Sequence, residues 1–164
     1  MAELTEGKSA PRFTLPGINL DRIGLEGDRL ALKDLIGERI VVVYFYPRDN
    51  TSGCTAEAQS FRDLKGQFTR AGAVVIGIST DDIASHESFA AKNGLNFPLL
   101  SDEGGAVTQK YGAWAEKKMY GKTFMGTVRS TFVIDRADKI AKIWPKVSPE
   151  GHAREVLDFV RSID

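Results

Sequence analysis

Cys54 is the only cysteine in a chain of 164 residues, and its neighbours give it a chemical setting. It follows the apolar run Val41-Val42-Val43-Tyr44-Phe45-Tyr46, a proline at 47 and a polar stretch from Arg48 to Gly53. After it comes Thr55-Ala56-Glu57-Ala58. That order reads as a buried strand, a stop, a loop and the opening of a helix. The peptide dipoles of a first helical turn point their positive ends at such a thiol, which favours the thiolate, the nucleophilic form. An ordinary thiol is only about 3% ionised at neutral pH, and keeping one roughly 90% ionised requires about 3.4 kcal/mol. A helix end supplies about 0.3–2 kcal/mol of that. A reactive thiolate therefore needs a cation too. Arg48 and Arg62 are local candidates, and Arg129, at the head of Ser130-Thr131-Phe132-Val133-Ile134, is a distant one. Arginine stays charged and offers a planar fork of donors. Thr51, three residues before the cysteine, can bring a hydroxyl beside the sulfur. Gly53 permits the close backbone approach of a small oxyanion or peroxide. Against all this, a lone cysteine is commonly an inert, buried small hydrophobe.

The elements that would position these groups follow from the pattern. Ile40 to Tyr46 and Ala73 to Ser79 are apolar, β-branched runs without polar alternation, as in strands covered on both faces. Between them, Thr55 to Ala71 carries Phe61, Leu64 and Phe68 at helical spacing, giving a β-α-β unit. Asp81 or Asp82 caps a second helix through Lys92, which Asn93-Gly94 ends. Phe97 to Leu100 is a short strand, and Ser101-Asp102 opens a helix toward Tyr111. Ser130 to Asp135 and Lys139 to Trp144 form a hairpin across residues 136–138. Ser148-Pro149-Glu150 starts a last helix whose apolar face holds Leu157 with Phe159 and Val160. The stretch through Pro16-Gly17 reads as an extended arm with short strands. The expectation is one three-layer α/β domain over residues 1–164, with a central mixed sheet and a thioredoxin-like arrangement.

Composition narrows the function. Hydrophobic content of 42% with 27% charged residues is that of an ordinary globular protein. Twenty-two basic residues balance twenty-two acidic ones, so no global field draws nucleic acid or an anionic membrane surface. No apolar run is long enough to span a bilayer, and the first residues lack an apolar signal core. A single cysteine excludes an internal disulfide and a thiolate-rich zinc site, and the expected compartment is a reducing one, the cytoplasm. His86 and His152 lack metal-ligand spacing and are expected to face solvent. Trp114 and Trp144 read as packing residues, and Lys117-Lys118 as a solvated charge pair. No phosphate loop or dinucleotide fingerprint is present.

Pro47-x-x-x-Thr51-x-x-Cys54 resembles the signature of peroxiredoxins, thiol peroxidases of thioredoxin-like fold. Gly7 to Pro16, Phe45 to Thr51, Gly53-Cys54-Thr55-x-Glu57-Ala58, Phe61-Arg62-Asp63, Tyr120-Gly121-Lys122 and Arg129-Ser130-Thr131-Phe132 resemble the Q-type branch, also called bacterioferritin comigratory proteins. The resemblance implies that Cys54 is the peroxidatic nucleophile and that Thr51 hydrogen-bonds the sulfur and the incoming oxygen. It further implies that Arg129 stabilises the thiolate and the departing oxygen, that Pro47 shields the pocket, and that Glu57 holds an arginine in place. Hydrogen peroxide and organic hydroperoxides are the implied substrates, with no metal, flavin or haem. Many Q-type members carry a resolving cysteine at the position of Gln59 or near Ala90, and this chain has none. A sulfenic acid on Cys54 must then meet an external thiol such as glutathione or thioredoxin, or be oxidised further. Replacement of a cysteine originally at position 59 or 90 is the alternative. Monomers are expected from the branch, with a dimer as the second possibility. The rival activities are a thiol transferase that forms mixed disulfides and a non-catalytic binding or chaperone domain.

Overall fold

The computed structural model describes residues 4–164. Its elements are β1 (Thr14–Ile18), β2 (Arg29–Ala31), β3 (Ile40–Phe45), α1 (Ser52–Arg70), β4 (Ala73–Ser79), α2 (Ile83–Asn93), β5 (Leu99–Ser101), α3 (Ala106–Lys110), β6 (Trp114–Met119), β7 (Lys122–Thr127), β8 (Ser130–Ile134), β9 (Ile140–Trp144) and α4 (His152–Ile163). Seven strands make a mixed sheet in the order β2-β1-β5-β4-β3-β8-β9. The central strands β5, β4 and β3 are parallel, and β8 then β9 continue the sheet antiparallel. None of the helices among the described residues is long and apolar enough to cross a membrane.

The unbroken apolar run at 40–46 has a direct cause: both faces of β3 are covered. Val41, Val43 and Phe45 point to a core shared with Leu30, Ile76, Tyr111 and Phe132. Ile40, Val42 and Tyr44 point the opposite way, to Phe61 and Phe68 of α1, Phe89 of α2 and Leu157 of α4. This is the period-2 rule applied to a strand with no solvated side. Helices α1, α2 and α4 thus cover one face of the sheet, while α3 and the segment before β3 cover the other. The three-layer mixed-sheet reading holds.

Several boundaries differ from the sequence pattern, each for a local reason. α1 starts at Ser52, before Thr55, because Thr51 takes an extended conformation and serves as N-cap. α3 is one short turn capped by Gly105, and buried Asp102 reaches forward to accept from the amides of Val107 and Thr108. α4 begins at His152 behind Gly151, whose φ of 72° is left-handed, so the Ser148-Pro149 signal lies one turn early. The hairpin of β6 and β7 is not in the sequence reading. Its signal is the Tyr120-Gly121 turn, with φ of 53° and 76° at the two central residues, the conformation of a two-residue hairpin turn.

Gly77 on β4 lies between Tyr44 of β3 and Leu99 of β5, its partners in the sheet. A Cβ there would lie 2.9 Å from the ring of Tyr44, which itself stacks on Phe61 at 4.7 Å between centroids. Gly77→Ala should therefore destabilise the protein by about 1–3 kcal/mol through overpacking. Urea denaturation would show a lower midpoint at unchanged slope; an unchanged midpoint would mean that Tyr44 shifts freely.

Candidate active site

Thr51 ends the loop after β3 and caps α1, so Ser52, Gly53 and Cys54 form the first helical turn. Cys54 is a free thiol only 1% exposed. Glu57 follows three residues later on the same helix face, also 1% exposed. Arg129 arrives from the junction of β7 and β8, and pairing of β8 with β3 carries it to the start of α1. Its Nη2 donates to Cys54 Sγ at 3.3 Å and its Nη1 to Glu57 Oε1 at 2.7 Å. One guanidinium fork thus spans one turn of helix. Gly53 leaves the room for it, since a Cβ there would lie 3.1 Å from Arg129 Nη2.

The electrostatics of the cluster follow from burial. Burial works against the charge on Arg129, but Glu57 and Cys54 outweigh it and raise its pKa above the ordinary value. For Glu57, burial wins over attraction to Arg129, and its pKa is pushed up to about 7. The second carboxyl oxygen of Glu57 has no hydrogen-bond partner, which fits a group held near the balance between charged and neutral. His152 is pushed down to about 4, by burial first and by Arg129 as well, against the opposing charge of Glu155.

The residues expected at the site divide three ways. Cys54, Glu57 and Arg129 meet directly. Pro47 and Thr51 line a cavity of about 610 Å³ together with Trp114, Lys117, Phe124 and Met125 of the β6–β7 hairpin. The Thr51 hydroxyl was expected against the sulfur; instead its proton goes to the Arg48 carbonyl at 2.9 Å, closing the turn that caps α1. With its proton committed there, the hydroxyl oxygen keeps only acceptor capacity. Of the other cations, Arg48 is exposed on the cavity wall, and Arg62 turns away to Asp63 and the Asn93 carbonyl.

Three sequence expectations are corrected. His86 is 0% exposed and His152 3%, so neither faces solvent. His86 sits between Asp49 and the carbonyl of Leu100, and His152 lies 2.8 Å from the Thr131 hydroxyl. A helical polar residue reads as solvent-facing until the strand opposite it supplies a partner, and neither partner is near in sequence. Lys117 is not a freely solvated charge. It is half-buried beside Arg129 and Cys54, and burial, then Arg129, lower its pKa from the usual lysine value. Trp114 packs over Gly105 and lines the cavity, while Trp144 packs on His152 and Phe159.

The two shifted groups oppose each other in pH. Between its ordinary 4.5 and about 7, Glu57 holds in the native state a proton that the unfolded chain has released. Its contribution to stability is therefore lost as pH rises through that window. His152 excludes, between about 4 and its ordinary 6.5, a proton that the unfolded chain takes up, so its contribution is lost as pH falls. Relative to wild type, Glu57→Gln should gain stability as pH rises through its window, and His152→Gln should gain it as pH falls through its own. Urea midpoints across the pH range check both; parallel curves for the variants and wild type would contradict the shifts.

Comparison with known proteins adds relationship to this geometry. Residues 7–143 match the model of the AhpC/TSA family. A Coxiella burnetii protein named putative peroxiredoxin bcp is 46% identical over 151 residues, covering 92% of this chain and 95% of the relative. Peroxiredoxin Bcp of Escherichia coli K12 is 39% identical, with 98% of each chain covered. Among solved structures, Xanthomonas campestris bacterioferritin comigratory protein, studied for its alkyl peroxide reduction activity, superposes with a TM-score of 0.83 at 36% identity. That match covers 92% of this chain and 91% of the Xanthomonas chain. A Xylella fastidiosa PrxQ mutant gives a TM-score of 0.88 at 32% identity over 99% of both chains.

Proposed function

The chain belongs to the AhpC/TSA family, as a thioredoxin-like peroxiredoxin of the Bcp branch and a thiol-dependent peroxidase, and on that basis we propose that Cys54 is its peroxidatic residue. The observation that carries this reading is the fork of Arg129, with one nitrogen 3.3 Å from Cys54 Sγ and the other fixed by Glu57 at 2.7 Å. A donor already aimed at the reacting centre costs no reorganisation when charge moves, which is how such a site lowers a barrier.

The thiolate of Cys54 attacks one oxygen of the peroxide. An S–O bond forms as the O–O bond breaks, the sulfur is oxidised by two electrons, and the departing alkoxide or hydroxide takes up a proton. Arg129 donates to the sulfur at rest and to the oxygens as charge develops on them. Glu57 orients that arginine. Thr51 accepts from a protonated peroxide oxygen, and Pro47 keeps water off the sulfur. The apolar wall supplied by Trp114, Phe124 and Met125 suits the organic part of an alkyl hydroperoxide.

The product is a sulfenic acid, Cys54–SOH. Since the sequence holds no second cysteine, an external thiol displaces water to form a mixed disulfide, and a second thiol releases Cys54 as the free thiol. Glutathione and a thioredoxin-type protein are the proposed reductants, and a reducing compartment, the cytoplasm, fits that need. The proposed acting form is one domain over residues 1–164, a monomer, with no metal or prosthetic group in the cycle.

Two measurements test the reading. Intact mass after one equivalent of hydrogen peroxide should show one added oxygen on Cys54, converted to a mixed disulfide when glutathione is present. Oxidation elsewhere, or none, would remove the assignment. In stopped-flow oxidation, Arg129→Ala should slow the reaction by about 10²-fold, the usual loss for one preorganised donor. Arg129→Lys should fall between the two, because a point charge keeps attraction but not the fork. Equal rates in all three proteins would mean that the guanidinium does not act on the sulfur.

A further inference from the structure

A second polar cluster lies behind the loop that leads to Cys54, and the reaction as described does not use it. Asp49 accepts at Oδ1 from the Tyr46 hydroxyl at 2.7 Å and at Oδ2 from the Ser85 hydroxyl at 2.8 Å. His86 of α2 places Nδ1 2.7 Å from the same Oδ2 and Nε2 2.9 Å from the carbonyl oxygen of Leu100 in β5. The Asp49 amide donates to Asp81 at 2.8 Å, and the Ser79 hydroxyl donates to that carboxylate at 2.7 Å. The His86 and Asp49 side chains are 0% and 1% exposed.

The geometry sets the protons. A carbonyl oxygen only accepts, so Nε2 of His86 carries a hydrogen. Burial pushes the Asp49 carboxyl up, but hydrogen bonds from His86 and Tyr46 outweigh it and hold the pKa below the ordinary value. The second ring nitrogen, Nδ1, is committed to the Asp49 carboxylate in the same way, so both ring nitrogens are hydrogen-bonded inside the fold. The titratable groups facing the ring are Asp49 and Tyr46 from the end of β3 and its loop, and Asp81 from the β4–α2 loop. The ligand atoms of Asp49, Asp81 and His86 lie within 4.8 Å of one another, a spacing that could suit a metal. With both ring nitrogens already committed, however, the cluster is a closed hydrogen-bonded network and not a cation site.

Its place in the fold gives it a consequence. The cluster ties together the carboxyl ends of β3, β4 and β5, where an open parallel sheet presents its site. Asp49 is the member on the catalytic loop. Immediately after it, Asn50 turns left-handed with φ of 65°, and Thr51 then caps α1. We propose that His86 is a positioning residue for the peroxidase reaction: through its buried pair with Asp49 it fixes the 46–51 loop, and so the first turn of α1 that holds Cys54 against Arg129. The inference rests on the peroxidatic role of Cys54. It concerns a residue that touches neither sulfur nor peroxide and acts only through Asp49.

The experiment is single-turnover oxidation by hydrogen peroxide of wild type, His86→Leu, Asp49→Asn and the double variant. Each single variant should show a rate constant lower by about tenfold or more, since a 1 Å misplacement can cost about 10²-fold. The double variant should be no slower than the worse single one, because both changes break the same link. The amplitudes separate this role from a merely structural one. Mispositioning slows the whole population, whereas lost stability leaves the wild-type rate constant on a smaller folded fraction. If His86→Leu does not fold, the nearly isosteric Asp49→Asn carries the kinetic test. Wild-type rate constants in the folded variants would overturn the proposal. The readout is the ratio of variant to wild type, so failure here is distinct from failure of the peroxidase reading, in which wild type itself would react no faster than free cysteine.

Discussion

One guanidinium, shared between a sulfur and a carboxylate on successive turns of a helix, is the interaction that organises this molecule's chemical end. Arg129 reaches Cys54 and Glu57 at once because those residues are three apart on α1 and because β8 runs antiparallel to β3. Neither condition alone would suffice. The helix supplies two acceptors at the right pitch, and the sheet carries in a donor from a position 75 residues away. A fork is needed, since a single point charge cannot hold two acceptors at fixed angles.

The rest of the fold can be understood as what that arrangement requires. The sulfur lies against the body of the protein, with Tyr44, Phe61 and Ala58 in the same apolar cluster. Low polarity strengthens each interaction with charge, and it makes an unpaired charge expensive. Glu57 shows the tension: it is needed to orient Arg129, yet burial holds its pKa near 7 and leaves one of its oxygens without a partner. On the other side of the loop, Asp49 and His86 form a second buried pair, so the segment between β3 and α1 is fixed from two directions. The β6–β7 hairpin completes the surroundings. It places Met119, Phe124 and Met125 on the outside, more than two-fifths exposed, next to the cavity that Pro47 and Thr51 line.

Much of this was legible in the sequence. The run from Ile40 to Tyr46, free of polar alternation, announced a strand buried on both faces, and Phe61 and Phe68 announced the helix that covers it. The cysteine, its loop and the need for a cation were legible too, but the residues alone left Arg48, Arg62 and Arg129 open, and only the resemblance to peroxiredoxins singled out Arg129. What stayed hidden depended on contacts remote in sequence. His86 and His152 looked like surface residues until β5 and β8 gave them partners at Leu100 and Thr131. Lys117 looked solvated because its hairpin was unrecognised, its turn being Tyr-Gly where asparagine or aspartate would have signalled more strongly. Thr51 was placed correctly on the loop, but the direction of its hydroxyl depends on the turn it closes onto Arg48, which spacing alone does not fix.

If the packed fold, and not the thiol itself, makes Cys54 reactive, its reactivity should vanish with the fold. The most direct measurement is the second-order rate constant of Cys54 with hydrogen peroxide in the native protein and in the same chain unfolded in urea, at one pH. A drop of about 10³-fold or more on unfolding is expected, on the scale of what a preorganised polar site contributes. Equal rate constants in the two states would mean that Arg129, Glu57 and the helix do nothing for the sulfur, and that the chain is no peroxidase.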